Sequence, residues 1–214
     1  MAFKKKDIYI FGAGGFAREI YLLLQDFTDY NFVGFIDKEC GINDVIKANG
    51  IELPVISEAV FDKLTGKNNK INVVIAIGSP KLLKKIVLKY SGKCAFPNII
   101  HPSVKLNAGL TMGEGNILTA NNIFTDNISL GSFNIFNIGC IIGHDVRIGN
   151  YNVLNPSCNI SGNVKIGSEN LIGVGAIILQ NKSIGNNNLV GAGSVLINKL
   201  GDNTSVFGVP AIKF

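Results

Sequence analysis

An adjacent histidine and aspartate are the residues in this chain best suited to proton transfer. His144 and Asp145 follow Ile142-Gly143, in a part of the chain whose repeating positions are apolar. Histidine gains and loses a proton near neutral pH, and a neighbouring carboxylate can orient or polarise the imidazole. We therefore take His144 as a candidate general base and Asp145 as its partner. An exposed histidine without a catalytic role is the alternative for this position.

A backbone donor is expected beside this histidine, because the same part of the chain repeats every eighteen residues. Eighteen residues after His144 lies Gly162, and stacking of the two positions would point the Gly162 N–H at the same place as the imidazole. Acyl transfer needs this pairing, since the base removes a proton while the donor stabilises an oxyanion. Asn137, one corner of the chain earlier, is expected to help position an amine or a water.

The other His and Cys residues indicate no metal site. The chain has two His and four Cys, and their spacing fits no metal-ligand motif. Two His are too few for the zinc carbonic anhydrases built on similar repeats, which need three His ligands per site. His101, before Pro102, is assigned a structural role. Cys140 and Cys158 are expected to stack as buried thiols, with a disulfide as the alternative.

A glycine-rich turn near the N-terminus has the pattern of a phosphate-binding loop. Gly12–Glu19 reads Gly-Ala-Gly-Gly-Phe-Ala-Arg-Glu and lies between a predicted strand and a predicted helix. Its glycines let a phosphate approach the backbone, and the helix N-terminus offers free amide groups. Asp37 ends the second predicted strand, where a carboxylate can accept from a ribose hydroxyl. A glycine turn that serves only packing is the alternative.

Strands and helices alternate through residues 1–97, which predicts a parallel sheet covered by helices. The strands are predicted at 7–11, 32–36, 51–56 and 71–77. Ala17 replaces the third glycine of the dinucleotide motif, and the region is short for a full dinucleotide fold. A mononucleotide or a nucleotide-sugar is therefore favoured over NAD.

Residues 98–214 carry a repeat of six. From Ile100 to Leu196 every sixth residue is apolar, without an insertion. Neither an α-helix nor a flat strand has this period, whereas hexapeptide repeats form a parallel β-helix. Three hexads make an eighteen-residue coil, and an asparagine recurs at that spacing. These residues are Asn98, Asn116, Asn134, Asn152, Asn170 and Asn188. Asparagine tolerates left-handed turns, and stacked coils are expected to join these side chains in a hydrogen-bonded column at one corner.

Composition and charge limit the classes of partner. The 214 residues carry a net charge of +5, much of it in the lysines of Lys81–Lys93. Those lysines form the polar side of a predicted amphipathic helix and have no interleaved aromatic platform, which argues against nucleic-acid binding. The sequence also has no signal-peptide pattern and no apolar run long enough to span a bilayer. A cytoplasmic location is therefore expected.

Taken together, these motifs resemble the bacterial sugar O-acyltransferases of the sialic-acid O-acetyltransferase type. This group of hexapeptide-repeat enzymes includes N-acetyltransferases acting on UDP-linked 4-amino-sugars and on GDP-perosamine. The resemblance covers the whole chain and rests on the glycine turn, Val33–Asp37, Ile100–Ser103, Gly143–Asp145, the Ile-Gly hexads and Phe207–Ala211. It implies a small Rossmann-like domain over 1–97 and a left-handed β-helix with a C-terminal tail over 98–214. It further implies a homotrimer with acetyl-CoA between neighbouring subunits.

The resemblance also implies roles for individual residues. His144 corresponds to the general base, Asp145 to its acidic partner, Gly162 to the oxyanion donor and Asn137 to a residue near the amino group. The implied coenzyme A contacts are Gly162, Gly173, Gly191 and Pro210. The expected nucleotide-sugar site consists of Gly12, Gly14, Gly15, Phe16, Asp37, Lys38, Gly78 and Ser79. Gly143 and Val153 stand where some members have an acidic residue and a second histidine. No metal is expected.

The expected activity is transfer of acetyl from acetyl-CoA to the amino group of a nucleotide-linked amino-sugar, in the synthesis of a surface glycan such as lipopolysaccharide. O-acetylation of a sugar hydroxyl uses the same groups and is the alternative. A non-catalytic β-helix scaffold is the alternative of a different class. It would need a flat, repeated Thr-rich face, and it would leave the glycine turn without a role.

Overall fold

The computed structural model describes residues 5–38, 40, 44–65, 70–106 and 108–214. The chain forms two compact units, of which the first comprises Met1–Gly78 and Lys85–Pro97 and the second Ser79–Lys84 and Asn98–Phe214. The units are therefore not two continuous stretches. The short segment Ser79–Lys84 groups with the second unit, where the Lys84 ammonium pairs with the Glu169 carboxylate at 2.5 Å.

The first unit is built on one sheet. Its strands are β1 (Lys6–Phe11), β2 (Tyr30–Asp37), β3 (Val45–Ala48), β4 (Ile51–Ser57), β5 (Ile71–Ile75) and β6 (Cys94–Ala95). Its helices are α1 (Gly15–Leu24), α2 (Glu58–Leu64) and α3 (Pro80–Tyr90), and the beginning of α3 lies in the second unit. The strand order is β3-β4-β2-β1-β5-β6, so β1 lies in the middle. Ile8 and Ile10 of β1 are fully buried, as a central parallel strand requires.

One edge of this sheet differs from the prediction. All neighbouring strands run parallel except β3, which pairs antiparallel with β4. The sequence pattern predicts no strand between residues 36 and 51, because Val45–Ala48 is short and carries no long apolar run. The available signal was Asn49-Gly50, since both residues have positive φ (51° and 77°) and Asn-Gly favours the tight turn of a hairpin.

The second unit is a left-handed β-helix of very short strands. They are β7 (Ile99–Ile100), β8 (Leu110–Met112), β9 (Ile117–Leu118), β10 (Ile123–Phe124), β11 (Ile128–Leu130), β12 (Ile135–Phe136), β13 (Ile141–Ile142), β14 (Arg147–Ile148), β15 (Val153–Leu154), β16 (Asn159–Ile160), β17 (Lys165–Ile166), β18 (Leu171–Ile172), β19 (Ile177–Ile178), β20 (Ser183–Ile184), β21 (Leu189–Val190), β22 (Val195–Leu196), β23 (Ser205–Phe207) and β24 (Ile212–Lys213). Strands eighteen residues apart pair in parallel, as when Phe136 lies beside Leu154. Among the strands that the structure describes in this unit, β23 and β24 form the one antiparallel pair.

These strands form the three faces of a triangular coil. The first face contains β7, β9, β12, β15, β18, β21, β23 and β24; the second contains β10, β13, β16, β19 and β22; the third contains β8, β11, β14, β17 and β20. The sixth-residue positions fill the interior, where Phe136, Ile142 and Leu154 are fully buried. Leu106 is the exception, because residues 101–106 form no strand; it is 55% exposed, and Val104 is buried instead.

Cys140 and Cys158 also point into this interior. Both are fully buried and both are free thiols, so the disulfide alternative is not formed. The Sγ of Cys140 donates to the Asn155 carbonyl at 3.3 Å, and the Sγ of Cys158 to the Gly173 carbonyl at 3.2 Å. They therefore act as small buried core residues that also satisfy carbonyls at the adjacent coil.

The asparagine column is present and links every coil to the next. The Oδ1 of Asn134 accepts from the backbone N–H of Asn152 at 2.9 Å and from its Nδ2 at 3.0 Å. The same Nδ2 donates to the Gly167 carbonyl at 2.9 Å, while Asn152 Oδ1 accepts from the Asn170 N–H at 3.0 Å. The expectation that these asparagines take the left-handed turn is wrong, because the preceding residue does so. Tyr151, before Asn152, has φ of 59°.

We expect Asn152→Ala to lower the free energy of unfolding by about 2–4 kcal/mol, because it removes several buried hydrogen bonds and leaves their partners unsatisfied. Chemical denaturation at a fixed protein concentration measures this loss. Asn198→Ala is the matched control, since Asn198 is an exposed residue after β22, and its loss should stay within about 0.5 kcal/mol. Equal losses for both variants would contradict a stabilising role for the column.

Candidate active site

His144 and Asp145 form a close pair at a corner of the β-helix. They lie between β13 on the second face and β14 on the third, and the His144 Nδ1 is 2.7 Å from the Asp145 Oδ2. The hydrogen bond from His144, followed by one from Asn127, lowers the pKa of the Asp145 carboxyl below its usual range. An ionised carboxylate can only accept, so Nδ1 carries the hydrogen of this bond. The Nε2 of the neutral ring is then left free to take a proton.

Asp145 belongs to a second column of polar residues, at this corner. Its members are eighteen residues apart and all have φ between 50° and 63°: Asn127, Asp145, Asn163 and Asn181. Asn127 Nδ2 donates to Asp145 Oδ1 at 2.6 Å, and Asn163 Nδ2 donates to Asn181 Oδ1 at 2.8 Å. Asn127 is not among the site residues predicted from the sequence. Counting eighteen residues back from Asp145 would have found it.

The imidazole of His144 lies against Gly162, one coil later. A Cβ atom added to Gly162 would be 2.5 Å from His144 Nε2, so only glycine allows this position of the ring. No acceptor for the Gly162 N–H is found within the part of the chain that the structure describes. A Cβ on Gly143 would be 2.7 Å from the Gly162 nitrogen, so a glycine at 143 leaves this donor uncovered. A base and a free backbone donor thus lie side by side.

Asn137 lies at a different corner of the coil from His144. It follows β12, between the first and second faces, and its Nδ2 is 3.4 Å from Asn155 Oδ1. Its side chain is half-buried, and its contact is with Asn155 at the equivalent position of the next coil. Its proposed position near an amino group therefore stays a prediction.

Two of the predicted coenzyme A contacts lie where coils approach closely. Gly173 follows β18, and a Cβ there would collide with the backbone nitrogen of Ala192. Gly191 follows β21, and a Cβ there would collide with the ring of Phe207. Both glycines thus have a packing role, whatever their role in binding. Pro210 is exposed in the turn between β23 and β24.

In the first unit, most of the predicted nucleotide-binding residues lie at the carboxyl ends of the central strands. Strands β2, β1 and β5 are adjacent and parallel, so Asp37, the Gly12 turn and Gly78 all lie at their carboxyl ends. Gly12 has φ of 106°, and a Cβ there would be 2.9 Å from the Ala76 carbonyl oxygen, so this position requires glycine. In contrast, a Cβ on Gly14 would have no neighbour within 4 Å.

Open space at Gly14 coincides with the start of α1. Gly14 is the N-cap residue of that helix and supplies no side-chain cap, so the first amide groups of α1 remain available. Gly15 and Phe16 form the first turn of α1, and Lys38 is exposed directly after β2. Ser79 precedes α3 and its carbonyl accepts the Leu83 N–H at 2.9 Å.

Across the described residues, no group of three or more His, Cys, Asp or Glu side chains is placed to hold a metal ion. The helices described are also too short and too polar to cross a bilayer.

We expect Gly162→Ala to turn the His144 imidazole away from its coil, because the new methyl group would occupy the place of Nε2. Side-chain ¹⁵N NMR of histidine-labelled protein, supported by a crystal structure of the variant, measures this displacement. Gly201→Ala is the control, since a Cβ at Gly201 would meet nothing within 4 Å. An unchanged His144 ring in Gly162→Ala would show that the ring does not lie where we describe it.

Comparison with known proteins bears on both units. Residues 7–90 match the PglD N-terminal domain family. No curated protein matches the sequence significantly. A single-residue mutant of perosamine N-acetyltransferase from Caulobacter crescentus, solved with CoA and GDP-perosamine, has a similar structure with a TM-score of 0.88 and 26% identity, over 97% of this chain and 96% of that one.

Two further solved structures cover nearly all of this chain. WeeI from Acinetobacter baumannii has a TM-score of 0.82 and 26% identity, over 98% of this chain and 100% of its own. The acetyltransferase domain of PglB from Neisseria gonorrhoeae, in complex with acetyl coenzyme A, has a TM-score of 0.87 and 24% identity, over 99% of this chain and 100% of that one. At this identity the similarity shows only that the two chains share a fold. Residues 7–90 thus match the PglD N-terminal domain family, and over at least 97% of its length the chain is similar in structure to hexapeptide-repeat sugar acetyltransferases.

Proposed function

We propose that this chain is an acetyltransferase that moves the acetyl group of acetyl-CoA to the amino group of a nucleotide-linked amino-sugar. The observation that carries this proposal is the corner where His144 Nε2 lies against Gly162, with Asp145 bound to the opposite ring nitrogen at 2.7 Å. Support comes from the similar perosamine N-acetyltransferase, which was solved with CoA and GDP-perosamine.

The geometry suits the two demands of acyl transfer. His144 Nε2 removes a proton from the amine as its nitrogen bonds to the thioester carbonyl carbon. The carbonyl oxygen becomes an oxyanion, to which the uncovered Gly162 N–H donates. Asp145 accepts from Nδ1–H and stabilises the imidazolium that forms. When the carbon–sulfur bond breaks, the imidazolium returns its proton to the departing coenzyme A thiolate, which leaves an amide and a neutral histidine.

The first unit supplies the means of holding a nucleotide. The open space at Gly14 and the free amides of α1 suit a phosphate, and the Asp37 carboxylate at the end of β2 suits a ribose hydroxyl. Binding of the nucleotide part of the substrate would give the first unit a role, since the β-helix already carries the candidate base and the backbone donor.

An amine is the preferred acceptor, and a hydroxyl is the second candidate. The same base and donor serve either nucleophile, so the local geometry does not separate them. The N-acetyltransferase at 26% identity favours the amine. We further propose that the product enters surface-glycan synthesis in the cytoplasm, where nucleotide-sugars and acetyl-CoA are both available.

We also propose a homotrimer, because the corner with His144 has only one wall. On the second face, which ends at this corner, the outward side chains are mostly aliphatic: Ile123, Ile141, Ile177 and Val195. Ile123 is 53% exposed and Ile141 38% exposed. The third face instead presents polar and cationic residues, including Arg147 and Lys165. Contact of the apolar face with another copy, repeated around a three-fold axis, would give the long coenzyme A molecule a second wall.

We expect His144→Ala to lower kcat about 10²–10⁴-fold, the usual contribution of a general base, while the protein stays folded because the side chain is exposed. Mass spectrometry of acetyl-CoA reactions with a panel of nucleotide-linked amino-sugars measures turnover. Hydroxylamine then separates the two acceptors, since it cleaves an acetyl ester and leaves an amide.

His101→Ala is the histidine control and should retain turnover, provided that its circular dichroism is unchanged. Near wild-type turnover of His144→Ala with saturating substrates would remove His144 from the mechanism. A product that hydroxylamine cleaves would replace the N-acetyltransferase proposal with O-acetylation.

We expect the wild-type protein to be a trimer in light scattering, and Ile141→Asp to dissociate it, because the substitution places a charge in the apolar face. Lys165→Asp on the third face is the control and should remain trimeric. A fully active wild-type monomer would refute the shared-site proposal. A trimeric Ile141→Asp variant would place the contact on another face.

A further inference from the structure

We infer that Asn127 is a positioning residue for His144 and that it acts through the Asp145 carboxylate. This inference rests on the proposed function, in which His144 is the base. Asn127 lies at the same corner as His144, one coil earlier, after β10. None of the roles predicted from the sequence belongs to Asn127.

The two oxygens of Asp145 have different partners. Oδ1 accepts from the Asn127 Nδ2 at 2.6 Å, and Oδ2 accepts from the His144 Nδ1 at 2.7 Å. Two bonds on opposite oxygens fix the plane of the carboxylate, whereas one bond would leave it free to rotate. Such fixing is needed here, because the Asp145 side chain is 48% exposed and the His144 side chain 56% exposed. Surrounding packing therefore does little to hold either group.

The hydrogen bond between Asn127 and Asp145 differs from the bond between Asn163 and Asn181 in the same column. Asn163 and Asn181 bond amide to amide, with Nδ2 of one donating to Oδ1 of the next. An asparagine at 145 could both accept from Asn127 and donate to Asn163. Aspartate has no hydrogen to donate when ionised, so its side chain cannot donate a hydrogen bond to Asn163. The carboxylate instead directs its second oxygen to His144.

The chemical effect concerns the tautomer and direction of the imidazole. A fixed Oδ2 holds the hydrogen on Nδ1 and turns Nε2 toward Gly162, which is the form that can accept a proton. The Asn127 bond also helps keep Asp145 ionised, in support of its hydrogen bond to His144. Charged side chains near Asp145 include Asp126, next to Asn127, and Arg147, whose charge also lowers the pKa of Asp145.

The test uses Asn127→Gly with Asn181→Gly as its matched control. Both positions have positive φ, 50° and 63°, which glycine adopts without strain, so each variant removes an amide and spares the turn. We expect Asn127→Gly to lower kcat roughly 10–100-fold with both KM values unchanged, because only the aim of the base is disturbed. Asn181→Gly should leave kcat unchanged.

A double-mutant cycle shows whether Asn127 acts through Asp145. In the Asp145→Ala background, Asn127→Gly should cause no further loss, since the group it orients is already absent. An equal loss in both backgrounds would overturn the inference, as would a kcat of Asn127→Gly equal to that of wild type or of Asn181→Gly.

A second measurement is independent of the acceptor substrate. In ¹⁵N-histidine-labelled protein, side-chain shifts report the tautomer of each of the two His, and His144→Ala identifies the His144 signals. We expect one dominant tautomer with hydrogen on Nδ1 in wild type and in Asn181→Gly, and a mixture in Asn127→Gly. An unchanged tautomer in Asn127→Gly would overturn the inference. If instead His144→Ala keeps full turnover, the proposed function fails, whichever tautomer is observed.

Discussion

The structure of the second unit depends on the in-register pairing of one coil with the next. Most of its strands have only two residues, so each coil is bound to its neighbours by a few backbone hydrogen bonds and by the packing of interior side chains. The buried asparagines determine which residues pair. Asn134 satisfies both the N–H and the Nδ2 of Asn152, and a slip by one hexad would place an apolar side chain opposite this buried amide. The eighteen-residue register is therefore strongly preferred over its alternatives.

This register also builds the candidate site, because the site residues lie on successive coils. Gly162 lies beside His144, and Asn127 bonds Asp145, since each is exactly one coil away along the same corner. None of these contacts comes from residues close in sequence, apart from the His144–Asp145 pair itself. The stability of the coil and the geometry of the base thus have the same origin. The register thus brings to the exposed His144 the neighbours on adjacent coils that hold it in a defined position.

Close stacking of the coils is sufficient to explain the glycines that follow several strands of the β-helix. Gly143, Gly162, Gly173 and Gly191 all lie where an added Cβ would collide with the neighbouring coil or with the C-terminal hairpin. Glycine is required at these positions for packing even without a ligand. At Gly162 the same requirement also leaves a backbone donor beside the imidazole, so packing and chemistry coincide there. At Gly14 and Gly78 in the first unit, by contrast, an added Cβ would meet nothing within 4 Å, so the surroundings of these two glycines impose no packing requirement.

The sequence by itself determined the period, the two kinds of fold and the histidine that is the candidate base. A six-residue period over seventeen positions fits a triangular coil and little else, and the glycine turn between a strand and a helix predicts a nucleotide-binding sheet. The prediction that Leu106 lies in the interior is wrong, because periodicity alone does not reveal where the first coil becomes irregular. The edge strand β3 was missed because a short partner of a hairpin carries little apolar signal. Tertiary structure decided which residues take the left-handed turns, that Cys140 and Cys158 remain thiols, and that Asn127 holds the second oxygen of Asp145. These features depend on distances and angles between coils, which the spacing of residues along the chain does not contain.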